Sequence, residues 1–212
     1  MNGPFDGLSK LQMQKLFVLL GVHKYKYNKL EELISTIKHE NLICIIISGH
    51  AQIMYIEYNG NEIVMEDLYE NNIFGTNISA TNNDNCQIIA REETEIWVID
   101  YNRLMNINNL QHNYFNIFFR NLFDIINVKF KERNERISIL EKKQIRDRLL
   151  EYFEIQYKKS RSKFVYLPFS LKDLADYLSV NRSAMFREIK HLKDDKLIEV
   201  KDKRITLLYK LN

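Results

Sequence analysis

The chain has 212 residues, 45% of them hydrophobic and 28% charged, an ordinary globular profile with enough apolar surface for one large domain or two smaller ones. No apolar run approaches the roughly 18 residues needed to span a bilayer. The opening MNGPFDGLSK lacks the basic-then-apolar pattern of a secretory signal, so a cytoplasmic protein without a membrane partner is expected.

The net charge of +3 conceals an asymmetry. Residues 1–141 carry 13 Lys and Arg against 18 Asp and Glu, a net of −5; residues 142–212 carry 18 against 10, a net of +8. A basic C-terminal third joined to an acidic remainder is the footprint of a nucleic-acid-binding module attached to something else. The two cysteines, Cys44 and Cys86, lie far apart in apolar runs and read as free thiols. A disulfide is not expected in a reducing compartment, and two thiolates cannot hold a four-cysteine iron–sulfur cluster.

Residues 8–20, LSKLQMQKLFVLL, space their leucines as a short amphipathic helix. The polar stretch 24–40 gives no assignment. From Leu42 the period becomes that of strands. LICIIISG is a buried strand, and HAQIMYIEY alternates. Asn59-Gly60 is a hairpin turn whose residues tolerate positive φ, NEIVMEDLY returns, and IFGT follows with a bend at Gly75. After a polar loop, CQIIARE and EIWVID complete a small antiparallel barrel or roll.

Residues 108–135 contain neither Pro nor Gly, and between Tyr114 and Phe130 they are apolar around most of a helix. Such a helix must be buried on more than one side. One side can cover the roll. The other is expected to meet a second copy of the chain along Phe115, Phe119, Leu122 and Ile126, which follow a 3–4 spacing. The polar run at 132–144 reads as a boundary and hinge. The expected division is therefore a sensor at 1–107, a pairing helix at 108–136 and a C-terminal module at 137–212, in an α+β chain.

Beyond the amphipathic stretch ISILEKKQIRDRLLEYFEIQY, Ser170 begins a helix with Asp173 placed for a capping box. Ser179-Val180-Asn181 is a turn, and Asn181 caps a second helix. In that helix Met185, Ile189 and Leu192 face the core, while Arg182, Ser183, Phe186, Arg187 and Lys190 face outward. Two helices joined by a short turn, the second with a cationic outer face, make a helix-turn-helix. LIEV and RITLL then form a hairpin, a wing that would bring Lys201, Lys203 and Arg204 to phosphates.

Two segments resemble the Crp/Fnr transcription regulators. I-S-G-x-A-x-x-x-Y, Asn59-Gly60 and I-F-G resemble the β-roll (a double-stranded β-helix or jelly roll) of cyclic-nucleotide-binding domains over about residues 8–105. The stretch from Ser170 to Val200 is similar to the family's winged helix-turn-helix, a likeness that extends over about 145–207. The resemblance implies a homodimer on double-stranded DNA, with Ser170, Ser179, Asn181, Arg182, Ser183, Phe186, Arg187, Lys190, Lys201, Lys203 and Arg204 at or beside the DNA. It also implies contact with RNA polymerase, through surface loops that are not recognisable here.

The departures carry as much information. Family members that bind cyclic nucleotides have a Glu after the Gly of the Phe-Gly bend and an Arg before the next strand. Here those positions are Thr76, after Gly75, and Asp84 or its neighbour Asn85. Arg grips phosphate through its planar fork, and an Asp in its place repels the anion, so control by cyclic AMP or cyclic GMP is not expected. His23, His39, His50 and His112 could in principle hold haem, but each stands alone in the sequence. No cofactor is expected, and any effector is an unknown small molecule. No acid/base pair, activated nucleophile or metal set points to an enzyme. The alternatives are a ligand- or protein-binding module that does not read DNA, and a haem-based gas sensor.

Overall fold

The computed structural model describes residues 3–34, 41–75, 85–167, 170–201 and 204–209. The chain divides into two compact units, Met1–Val128 and Lys129–Asn212.

The first unit opens with helix α1, Lys10–Leu20, started by a capping box in which Ser9 and Gln12 satisfy each other's backbone N–H groups. Among the described residues seven strands follow: β1 His23–Tyr27, β2 Leu42–Ser48, β3 Ala51–Ile56, β4 Glu62–Leu68, β5 Ile73–Gly75, β6 Cys86–Ala90 and β7 Thr94–Asp100. They form two antiparallel sheets, in the orders β1-β7-β2-β5 and β4-β3-β6. The fold is α+β, with an antiparallel roll followed by a long helix and a winged helix-turn-helix.

The uninterrupted apolar run of β2 has a simple cause: both faces of its sheet are covered. Leu42, Cys44 and Ile46 turn toward the opposite sheet, where Ala51, Ile53, Leu68, Ile88 and Ala90 meet them. Ile43 and Ile45 turn the other way, into a layer made with Leu16, Leu20 and Leu104. Burial in this medium pushes the Cys44 thiol up to about 12, which leaves it a small apolar side chain in practice. Both Cys44 and Cys86 are free. The alternation expected in β3 breaks at a bulge between Ile53 and Met54, and both of those side chains are buried.

Strand β1 pairs with β7 from His23↔Val98 to Tyr27↔Thr94, within the segment that the sequence left unassigned. Then come a short helix, α2 Tyr101–Leu104, a 3-10 turn at Ile107–Gln111, and the long helix α3, Asn113–Leu140. This helix ends four residues beyond 136, the end expected from the sequence.

Phe115, Phe118, Leu122 and Ile125 of α3 complete the layer over β2. Two residues of the expected pairing seam lie within this layer. Phe115 and Leu122 are each only 2% exposed, inside the unit's own core. Phe119 and Ile126 lie half-buried at its margin. Among the outward apolar residues of α3, Phe123 is 56% exposed and Phe130, seven residues on, is 64% exposed.

The second unit contains α4 Ile145–Ser160, β8 Phe164–Tyr166, α5 Leu171–Tyr177, α6 Arg182–Asp194, β9 Ile198–Lys201 and β10 Arg204–Leu207. Its core gathers Leu149, Tyr152 and Phe153 of α4, Leu174 and Ala175 of α5, and Met185, Ile189 and Leu192 of α6 against the small sheet β8-β10-β9.

Candidate nucleic-acid interface

The interface is assembled from local chemistry. Ser170 accepts from the backbone N–H of Asp173 at 3.2 Å, and its own N–H and hydroxyl donate to the Asp173 carboxylate at 3.2 and 2.7 Å. The expected capping box is present, and these bonds hold the Asp173 carboxyl below its ordinary value, the Ser170 hydroxyl contributing most. At the far end of α5, Ser179 adopts φ +52°, in the left-handed region. Ser179 N–H donates to the Asp176 carbonyl and Val180 N–H to that of Ala175, each at 3.0 Å. This pair of bonds is a Schellman stop, and the cap of α6 follows two residues later. Asn181 then caps α6, its side-chain oxygen accepting from Ala184 N–H at 3.2 Å.

With α6 so begun, helical geometry divides its residues. Met185, Ile189 and Leu192 are buried, while Arg182, Ser183, Phe186, Arg187 and Lys190 occupy an arc of about 140° on the opposite side and are all exposed. Phe186 is 46% exposed, a large apolar ring in a polar, cationic face. Arg182 is exposed but engaged, with its guanidinium 2.8 Å from the Asp176 carboxylate. At the wing, Lys201 is exposed at the end of β9, and Arg204 is half-buried with its guanidinium 5.4 Å from the Phe164 ring centre. Lys203 lies outside the described residues.

Two arginines of α4, unmarked by any motif or spacing, hold this assembly. Arg146 pairs with Glu188 at 3.3 Å and Asp195 at 2.6 Å, fastening α4 to α6. Arg148 donates to four carbonyl oxygens around the α5–α6 turn and the end of α3. Strand β8 was also missed. It adds a third strand to the wing sheet through Arg204↔Tyr166 and Thr206↔Phe164.

In the roll, Gly75 has φ +145°, and a side chain there would stand 2.0 Å from the Leu42 carbonyl oxygen. Glycine is therefore required where β5 meets β2. Asn85 is exposed before β6, and its carbonyl accepts from Ile56 N–H at 2.8 Å. Thr76, Asp84 and His39 lie outside the described residues. His50 pairs with Asp67 at 2.8 Å and stacks on Tyr69. His112 stacks on Tyr114, and His23 is exposed in β1. Among the described residues no three His, Cys, Asp or Glu side chains converge as a metal site, and no helix is long and apolar enough to cross a membrane.

Residues 25–109 match the model of the cyclic nucleotide-binding domain, and residues 132–210 match that of the Crp-like helix-turn-helix domain. The chain belongs to the Crp/Fnr family. This Crp/Fnr protein is thus a transcription regulator with a DNA-binding helix-turn-helix and a cyclic-nucleotide-binding-like roll.

Solved structures share its fold. A CooA variant from Carboxydothermus hydrogenoformans is 22% identical with a TM-score of 0.54, the match covering 90% of this chain and 85% of that one. CprK complexed with OCPA is 17% identical with a TM-score of 0.59, covering 92% of each chain. The catabolite activator protein of Thermus thermophilus is 14% identical with a TM-score of 0.51, covering 96% and 92%. No curated relative matches the chain in sequence.

Proposed function

We propose that this Crp/Fnr protein is a cytoplasmic, homodimeric, sequence-specific DNA-binding regulator that reads a palindromic operator and does not answer to cyclic AMP. The observation that carries the reading is the exposed face of α6, where Arg182, Ser183, Phe186, Arg187 and Lys190 stand together beside a basic wing. Arg187 suits a guanine edge or a phosphate, Ser183 can donate or accept, and Phe186 can press on a thymine methyl. Ser170, Ser179 and Asn181 set the two helices at the phosphate backbone, and Lys201, Lys203 and Arg204 extend the contact along it. The net +8 of residues 142–212 supplies the sequence-independent attraction.

In this reading residues 1–107 sense, 108–136 pair two chains and 137–212 bind DNA. Pairing is supported by the exposed Phe123, flanked by Phe119 and Ile126 at 4 and 3 residues, on a helix whose other side is already buried. Independence from cyclic AMP rests on the sequence: Thr76, and Asp84 or its neighbour Asn85, stand where the nucleotide-binding pattern has Glu and Arg. Any effector is then a different small molecule, and RNA polymerase is a further partner of the DNA-bound dimer.

The deciding experiment is selection of bound duplexes from a random DNA pool, followed by titration of the recovered sequence with and without cyclic AMP. A palindromic consensus bound two chains per site, with an affinity indifferent to cyclic AMP, is expected. Recovery of no consensus would overturn the reading of DNA sequence, and a strong cyclic AMP effect would overturn the independence.

A further inference from the structure

We infer that Arg148 is a positioning residue that locks the DNA-reading head to the end of the long helix, and so sets the spacing at which two heads can read one operator. The inference rests on the proposed reading of DNA by α6.

Arg148 is half-buried on the first turn of α4. Its Nε donates to the Lys142 carbonyl at 2.8 Å and one terminal nitrogen to that of Leu140 at 3.2 Å. The other terminal nitrogen donates to the carbonyls of Leu178 at 3.0 Å and Ser179 at 3.2 Å. Four of the five guanidinium protons are thus used, and every acceptor is a backbone oxygen where a helix stops.

Leu140 is the last residue of α3, and Lys142 lies two residues past it. Leu178 and Ser179 are the two residues that follow α5 and lead to the cap of α6. The final carbonyls of a helix have no partner within it and carry the negative end of its dipole. One cation placed between two such ends satisfies both, and the planar fork sets the angle between them. No other basic side chain can do this, because the lysine ammonium is a point charge with three donors in tetrahedral array.

The placement gives Arg148 a role beyond stability. The residues it joins are the end of the helix proposed to pair two chains and the turn that aims α6. In a dimer each head inherits its direction from that joint, and half-site separation on DNA follows from the direction. The Arg146 bridge to Glu188 and Asp195 makes α4 and α6 one piece, so a head released at Arg148 swings as a whole and keeps its own reading face.

The test uses the full chain and the palindrome selected by the wild-type protein. Arg148→Lys and Arg148→Gln are titrated against that palindrome, against versions with one or two base pairs added or removed between half-sites, and against a duplex holding one half-site. In both variants the preference for the native spacing is expected to fall about tenfold or more, with the single half-site bound as by the wild type. Unchanged spacing preference overturns the inference. So does an equal loss on the single half-site, or failure of both variants to fold, since each would make Arg148 a stability residue only. If the wild-type protein selects no palindrome, the reading of DNA fails instead, which keeps the two failures apart.

Discussion

Arg182, the first residue of α6, is paired with Asp176 of α5 at 2.8 Å, both side chains being about half exposed. An ion pair so exposed contributes little stability, about 0–1 kcal/mol, yet it bears on the proposed DNA contact. Asp176 holds the guanidinium in place and also adds a negative charge beside the phosphates. Asp176→Asn removes that charge and frees the cation. Affinity for operator and random DNA alike is expected to rise, with the salt slope steeper by about 1. Fluorescence anisotropy titrations at several salt concentrations measure both. Unchanged affinity and slope would mean that Arg182 stands away from the duplex.

Arg187 and Lys201 are both exposed cations, but they sit on different elements and are expected to behave differently. Arg187 lies in the middle of α6, where a side chain can reach a base edge. Arg187→Ala is expected to cost about 1–3 kcal/mol on the selected operator and to relax preference at one position of each half-site. Lys201 ends β9 in the wing, so Lys201→Ala is expected to weaken all sequences alike and to reduce the salt slope by about 1. A selection repeated with each variant separates the two. An unaltered consensus for Arg187→Ala would remove it from the base readers.

The parts of the fold legible in the sequence are those fixed by near neighbours. The Asn59-Gly60 hairpin, the Ser170–Asp173 box and the Asn181 cap each depend on residues within three positions, and each is present. Strands β1 and β8 were not legible. HKYKY is polar and FVY has three residues, so each is a strand only because β7 or β10 offers an edge to pair with. The direction of α3 was hidden for a different reason. Where nearly every residue is apolar, spacing alone does not say which ones face the roll, and the docking of Phe118 and Ile125 on β2 decides it. Arg148 was the least visible of all, since its acceptors lie 6 to 31 residues away in the chain. The sequence shows a helix-turn-helix readily; how it is aimed depends on those distant carbonyls.

Burial separates two phenotypes along α3. Phe115 is buried in the first unit, so Phe115→Ala is expected to cost about 3–5 kcal/mol of stability, seen as a lower thermal midpoint. Phe123 faces outward, so Phe123→Glu is expected to leave that midpoint little changed at low protein concentration. It should instead convert dimer to monomer by light scattering and abolish cooperative operator binding. A Phe123→Glu protein that remains dimeric would show that pairing uses another surface.

Stability of the second unit is expected to fall at both extremes of pH, for opposite reasons. Hydrogen bonds from Ser170 lower the folded-state value of the Asp173 carboxyl. A depressed value stabilises the fold above the unfolded carboxylate value, about 4, and that contribution is lost as pH falls through the folded value. At the other extreme, burial raises Tyr152 to about 12. The unfolded phenol ionises near 10 while the folded one stays neutral, so the contribution is whole below about pH 10 and drains away between 10 and 12. Tyr209 is likewise raised to about 12 by burial, and its hydroxyl has no hydrogen-bond partner among the described residues. Leaving a buried hydroxyl unpaired costs about 1–3 kcal/mol, so Tyr209→Phe is expected to raise stability by about 1 kcal/mol near neutral pH. It should also soften the loss above pH 10, because one of the phenols raised by burial is gone. Denaturant melts from pH 3 to 11 on the wild type, Asp173→Asn and Tyr209→Phe test all three expectations. An acid limb unchanged in Asp173→Asn would show that the capping box is not what fails in acid, and a Tyr209→Phe protein less stable than wild type would mean that the hydroxyl has a bonding partner in solution.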